Sequence, residues 1–105
     1  MKKKSDYGEK LVKYALQIPK GKVVTYGMLN NLAGGTPRMA QMVTHMLSKS
    51  EQSANIPYWR IVYTDGRVFS TEEYDSVRMQ KYKEENIEID EKGKIKDFKD
   101  KLFRF

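Results

Sequence analysis

The sequence predicts a small α/β (α+β) domain of helix-turn-helix, winged-helix-like architecture, with a β-hairpin as the wing and a C-terminal helix that closes the fold. Three observations predict it. Two short stretches with helical spacing are separated by Gly34-Gly35. Directly behind them, "IPYWRIVYTDGRVF" reads as two β-rich runs around Asp65-Gly66, a dipeptide that favours tight hairpins. The following "STEEYDSVRMQKYKEEN" has acids in its first turn and an asparagine at its end, as helix termini prefer.

Taken in order, "SDYGEKLVKYALQIPKG" opens with Asp6 and Glu9 in capping-box spacing and puts Leu11, Ala15 and Ile18 on one face, so it predicts a first helix ended by Pro19 and Gly21. Thr25 is the expected N-cap of a second helix, with Leu29 and Ala33 four residues apart and the glycine pair as its stop. Thr36 caps a third, with Pro37 at the first helical position. Its Ala40, Val43 and Leu47 share an apolar face, while Arg38, Gln41, His45 and Lys49 follow the polar one. In a helix-turn-helix such a polar face enters the major groove, and Arg67 then stands near the tip of the wing. The fourth helix is expected to be capped by Ser70 or Thr71 and closed by Asn86. In the tail, Ile87 and Ile89 alternate, Gly93 turns the chain, and Phe103 and Phe105 end it.

With 105 residues the chain has the length of one domain, expected to span 1–105. Hydrophobic residues make up 39% and charged residues 32%, with no apolar run long enough for a bilayer and none behind the lysines of "MKKKSDYGEK". A soluble cytoplasmic protein with no membrane partner is expected. The absence of cysteine closes thiol catalysis, thiolate ligation and disulfides, and a single histidine, His45, speaks against a zinc site. The net charge of +6 is uneven: residues 1–70 carry 11 Lys and Arg against 4 Asp and Glu, residues 71–105 carry 9 against 10. A basic N-terminal part fits an anionic partner such as nucleic acid.

These motifs, "IPKGKVVTYGMLNNLAGGTPRMAQMV" followed by "IPYWRIVYTDGRV", resemble in order and spacing the DNA-binding domain of O6-alkylguanine-DNA alkyltransferases. They are more similar still to the alkyltransferase-like proteins, which lack the reactive cysteine. That resemblance implies nucleotide flipping: a damaged guanine is turned out of double-stranded DNA into a pocket, at a cost of a few kcal/mol that is least where pairing is already impaired.

On the resemblance, Pro57-Tyr58-Trp59-Arg60 occupies the family's Pro-Cys-His-Arg motif and Glu85 matches the glutamate that assists the histidine. A phenol with a pKa of about 10 is a poor nucleophile and an indole cannot relay a proton, so binding without alkyl transfer is expected, with no catalytic residue, metal or cofactor. Glu85 is left without its family partner. Tyr26 matches the tyrosine that presses on the phosphate beside the flipped nucleotide, and Gln41 stands at the intercalating arginine. The implied DNA contacts are Tyr26, Thr36, Arg38, Gln41, His45, Lys49 and Arg67; the implied lesion pocket is Tyr26, Leu47, Tyr58, Trp59, Arg60, Ile61 and Ser70. Which ring of the Tyr58-Trp59 pair faces the pocket stays open, since neighbours on a strand face opposite ways. The resemblance also implies a monomer that flags lesions for nucleotide-excision-repair proteins. A winged-helix regulator of intact DNA and a protein-interaction domain are the alternatives.

Overall fold

The computed structural model describes residues 3–68 and 75–105. The first helix, α1, runs Lys3–Ala15 and turns Tyr7, Leu11 and Ala15, spaced by four, into the interior. It starts upstream of the expected cap at Asp6, because the lysines before it are good helix formers. It also stops before Pro19: Ile18 N–H reaches Ala15 O at 3.3 Å in a tighter turn, and the residue preceding a proline is pushed out of helical geometry.

Strand β1, Val24–Thr25, leads directly into α2, Tyr26–Leu32. Thr25 Oγ1 accepts the N–H of Met28 at 3.1 Å, so the expected N-cap holds. Buried Asn30 then joins three parts of the helix-turn-helix. It accepts from Tyr7 Oη at 2.7 Å, and its Nδ2 donates to Thr36 O at 2.7 Å.

The expected third helix is a composite. Pro37–Met42 forms a 3-10 helix, and only Val43–Ser48, α3, is α-helical. No residue of 37–42 is fully buried, so no core contact holds that part to the 3.6-residue period; Val43 and Leu47, one α-turn apart, are both inside.

Strand β2 comprises Ile61–Val62 and pairs in parallel with β1, Val24 facing Ile61 and Thr25 facing Val62. The expected two-stranded wing is therefore corrected. Tyr63 N–H to Arg67 O and Gly66 N–H to Tyr63 O, both at 2.9 Å, close the turn. Beyond it, Arg67 bridges antiparallel to Lys94, and Val68 N–H donates to Gly93 O. The C-terminal tail takes the partner's place.

The fourth helix, α4, is described from Asp75 to Glu84, so its cap at Ser70 or Thr71 lies outside the described residues. Its closure is the expected one. Asn86 adopts a left-handed φ of 59°, its N–H bonds Lys83 O, and Ile87 N–H bonds Tyr82 O, the double clasp of a Schellman motif. In the tail, Ile89 bridges Ile95 across the Gly93 turn, a short helix α5 follows at Phe98–Lys101, and Leu102 pairs with Val23. Helix α5 is not expected from the sequence.

Strand alternation divides the interior into two clusters. Val24 and Ile61 join Leu11, Leu29, Val43 and Leu47 beneath α1, α2 and α3. Val23 and Val62 face the other way, toward Tyr82, Ile87 and Ile95. Burying such side chains stabilises by about 1.5–3 kcal/mol each, so this two-strand junction anchors the segments before and after it. Among the described residues no helix is long and apolar enough to cross a membrane.

Candidate nucleic-acid interface and base pocket

Because β1 opens into α2 and β2 is entered from Tyr58–Arg60, the parallel pair brings Tyr26 and Tyr58 to one place. Both line a cavity of about 500 Å³. Ala40 and Gln41 from the 3-10 segment, Thr44 from α3 and Arg78 from α4 line it as well. Tyr63 and Thr64, from the turn after β2, complete its rim.

Tyr58, Trp59 and Arg60 are not on a strand. They form one 3-10 turn, Arg60 N–H donating to Pro57 O at 2.9 Å. The geometry requires it: Trp59 Nε1 donates to Glu85 Oε2 at 2.8 Å, and Arg60 Nη2 reaches the same oxygen at 2.6 Å. Two consecutive strand residues, facing opposite ways, cannot hold one carboxylate; a turn fans its side chains and leaves Tyr58 free to face the cavity. Of the two rings, Tyr58 thus lines the cavity. Trp59 packs on the second cluster, with the Arg60 guanidinium 5.2 Å and the Lys81 ammonium 5.0 Å from its ring centroid.

Glu85 therefore has partners despite the missing histidine. Its side chain is 2% exposed and also accepts Gly21 N–H at 3.0 Å and Arg60 Nε at 3.0 and 3.1 Å, while Arg60 Nη1 donates to Ile18 O at 2.8 Å. Burial by itself would raise the Glu85 carboxyl, but the hydrogen bonds from Arg60, Gly21 and Trp59 outweigh it and hold the pKa below the usual 4.5. Tyr82 locks the turn from the other side, its Oη donating to Trp59 O at 2.7 Å. Burial pushes its pKa up to about 12.

Burial also raises two phenols at the cavity, Tyr58 and Tyr26. Tyr58 is raised by desolvation; Tyr26 is raised by desolvation, opposed by a hydrogen bond with Thr44 and by Arg78. Both rings are neutral near pH 7, polar at one tip and apolar over their faces.

Of the residues expected in the pocket, Tyr26 and Tyr58 line it. Leu47 and Ile61 are core residues instead, because α3 turns Leu47 inward and β2 turns Ile61 toward the first cluster. Trp59 and Arg60 are drawn off by Glu85. Ser70 lies outside the described residues.

Of the expected DNA contacts, Thr36, Arg38, Gln41, His45 and Lys49 are all exposed along the 3-10 segment and α3. Gln41 is also at the cavity's lip, with Nε2 donating to Arg38 O at 3.2 Å. Arg67 is exposed at the turn, paired with Asp65 at 3.0 Å. Thr44, Tyr63 and Arg78 were not anticipated. Thr44 could have been found, since it follows Ala40 by four residues; Tyr63 and Arg78 depend on contacts between distant elements.

The model of the 6-O-methylguanine DNA methyltransferase DNA-binding domain matches residues 6–87. A DNA base-flipping protein of Vibrio parahaemolyticus serotype O3:K6 (strain AQ3810) is 35% identical over 79 residues, covering 75% of this chain and 78% of that protein. The DNA base-flipping protein of Escherichia coli (strain K12) is 31% identical over 71 residues, 68% of this chain and 54% of its own, so the chain spans about half its length. In structure, the chain is similar to Atl1 of S. pombe, seen in complex with damaged DNA containing O6-carboxymethylguanine. The TM-score is 0.76 at 20% identity, over 96% of this chain and 97% of the other, which shows a shared fold. By sequence match over most of its length and by fold, the chain belongs to the family of the 6-O-methylguanine DNA methyltransferase DNA-binding domain.

Proposed function

We propose that this chain binds double-stranded DNA and holds an extruded alkylated or otherwise damaged guanine in the cavity between Tyr26 and Tyr58, without removing the adduct. The carrying observation is Tyr58: at the motif position where the resembling enzymes hold cysteine, the ring lines a cavity of about 500 Å³, a volume suited to a small planar ligand. Stacking a base on an aromatic ring contributes about 1–3 kcal/mol, comparable to the few kcal/mol that flipping costs. A ring in place of a thiol thus turns a site of reaction into a site of retention. The chain has no cysteine, and a neutral phenol raised by burial does not attack an alkyl group, so no transfer step is assigned.

The exposed residues Arg38, Gln41, His45 and Lys49 supply the groove-facing side, and Tyr26, at the start of α2, supplies the contact beside the flipped nucleotide. In this reading the protein acts as a cytoplasmic monomer that marks lesions for nucleotide-excision-repair proteins.

The test is a titration of two duplexes of one sequence, with O6-methylguanine or guanine at one position, at two salt concentrations. Tighter binding of the lesion duplex, with affinity falling as salt rises, is the expected result. Sequence preference indifferent to the lesion would instead assign a regulator of intact DNA, and no salt-dependent binding would assign a protein-interaction domain. Tyr26→Ala should weaken lesion binding; unchanged affinity would rule out the flipping geometry.

A further inference from the structure

The three tyrosines at the cavity are held in different ways. Tyr26 and Tyr58 pack against the first hydrophobic cluster. Tyr63 is not among the buried residues of either cluster and is 36% exposed, yet it lines the same cavity. Surface contacts hold it. Its centroid lies 5.5 Å from that of Tyr26 with the planes tilted by 47°, the Arg67 guanidinium stands 5.1 Å from its centroid, and Arg67 is in turn paired with Asp65. The backbone supports the arrangement, because Tyr63 N–H to Arg67 O and Gly66 N–H to Tyr63 O set the turn that presents the ring.

A large aromatic side chain with about a third of its surface left in water contributes less to folding through burial than a core ring does. Aimed into a cavity and backed by a cation, it offers a planar ligand a face to stack on. We propose that Tyr63 is a ligand-holding residue of this pocket, the movable wall that closes over an extruded base against the anchored walls Tyr26 and Tyr58. This rests on the base-pocket reading given above. Because Tyr63 is 36% exposed and held by Tyr26 and Arg67 at the surface, its ring can shift with the size of the adduct, so it sets how strongly a damaged base is retained relative to an intact one.

The experiment is filter binding of the full chain to the O6-methylguanine duplex and its matched guanine duplex, for wild type, Tyr63→Ala and Tyr63→Phe, with thermal melting to confirm folding. Tyr63→Ala should lower the ratio of lesion to intact affinity by about tenfold, the loss of one stacked ring, while Tyr63→Phe keeps a ratio near wild type. A merely structural role would lower melting temperature without moving that ratio. If wild type prefers the lesion and Tyr63→Ala keeps the full preference, the assignment of Tyr63 is overturned and the pocket reading stands. If wild type shows no preference, both fall together.

Discussion

Trp59 and Glu85 are joined by a 2.8 Å hydrogen bond from the indole Nε1 to Oε2, and this contact orients the turn on which Tyr58 is carried. The same carboxylate takes Arg60 and Gly21 N–H, so one side chain fixes β2's entry, the end of the 16–21 connection and the C-terminus of α4. Glu85→Gln removes the charge and at least one acceptor position, leaving the Arg60 guanidinium poorly paired at 15% exposure. We expect a loss of about 3 kcal/mol in a urea unfolding titration, at the lower end for a broken buried pair. A change below roughly 0.5 kcal/mol would show that the carboxylate does not clasp the turn.

The same group makes stability depend on pH. Its folded pKa lies below the usual 4.5, so its contribution is complete above that value and is lost as pH falls through the folded pKa. The melting temperature of wild type should drop from about pH 5 toward about pH 3. Glu85→Gln should show a shallower drop over that range; Asp65 and Asp90, also held low, contribute to what remains.

The two neighbouring rings should separate by function. Tyr58→Ala should reduce the preference for a lesion duplex about tenfold with modest effect on melting. Trp59→Phe, which loses the bond to Glu85, should cost about 1–3 kcal/mol of stability while leaving the lesion preference intact. Equal loss of preference in both variants would contradict the packing of Trp59 on the second cluster, away from the cavity.

Gln41 sits at the cavity's lip without a positive charge. Gln41→Arg should tighten DNA binding and steepen the log–log salt dependence by about one unit, the signature of one more phosphate contact. An unchanged slope would place residue 41 away from the backbone of the duplex.

The adjacent glycines of the helix-turn-helix should differ. Gly34 has φ of 83° and open space beyond its Cα, so Gly34→Ala should cost about 1 kcal/mol from backbone conformation alone. A Cβ on Gly35 would run into the Asn30 side chain, which is already bonded to Tyr7 and Thr36. Gly35→Ala should therefore cost clearly more, as read from urea midpoints; equal costs would deny the close approach.

Local chemistry was legible in the sequence. Thr25 caps α2 and Asn86 closes α4 because both act within a few residues of themselves. Resemblance to a family pointed to Tyr26, Gln41 and Tyr58, which the structure brings to one cavity. What could not be read was set at long range. The pattern of "YWRIV" suits a strand, but Glu85, 25 residues beyond Arg60, pulls Trp59 and Arg60 to one side and winds the segment into a turn. The run after Asp65-Gly66 was expected to return along β2, yet Gly93 and Lys94 supply its partner. Leu47 and Ile61 were assigned to the pocket by motif position, whereas burial against α1 and α2 decides their direction.

Trp59 is the only tryptophan of the chain, and two cations stand over its ring while its N–H is bound to a carboxylate. The molecule thereby contains its own optical gauge. Excited selectively, this single indole reports through its emission wavelength whether the Glu85 clasp is intact, so folding can be followed in an unlabelled sample.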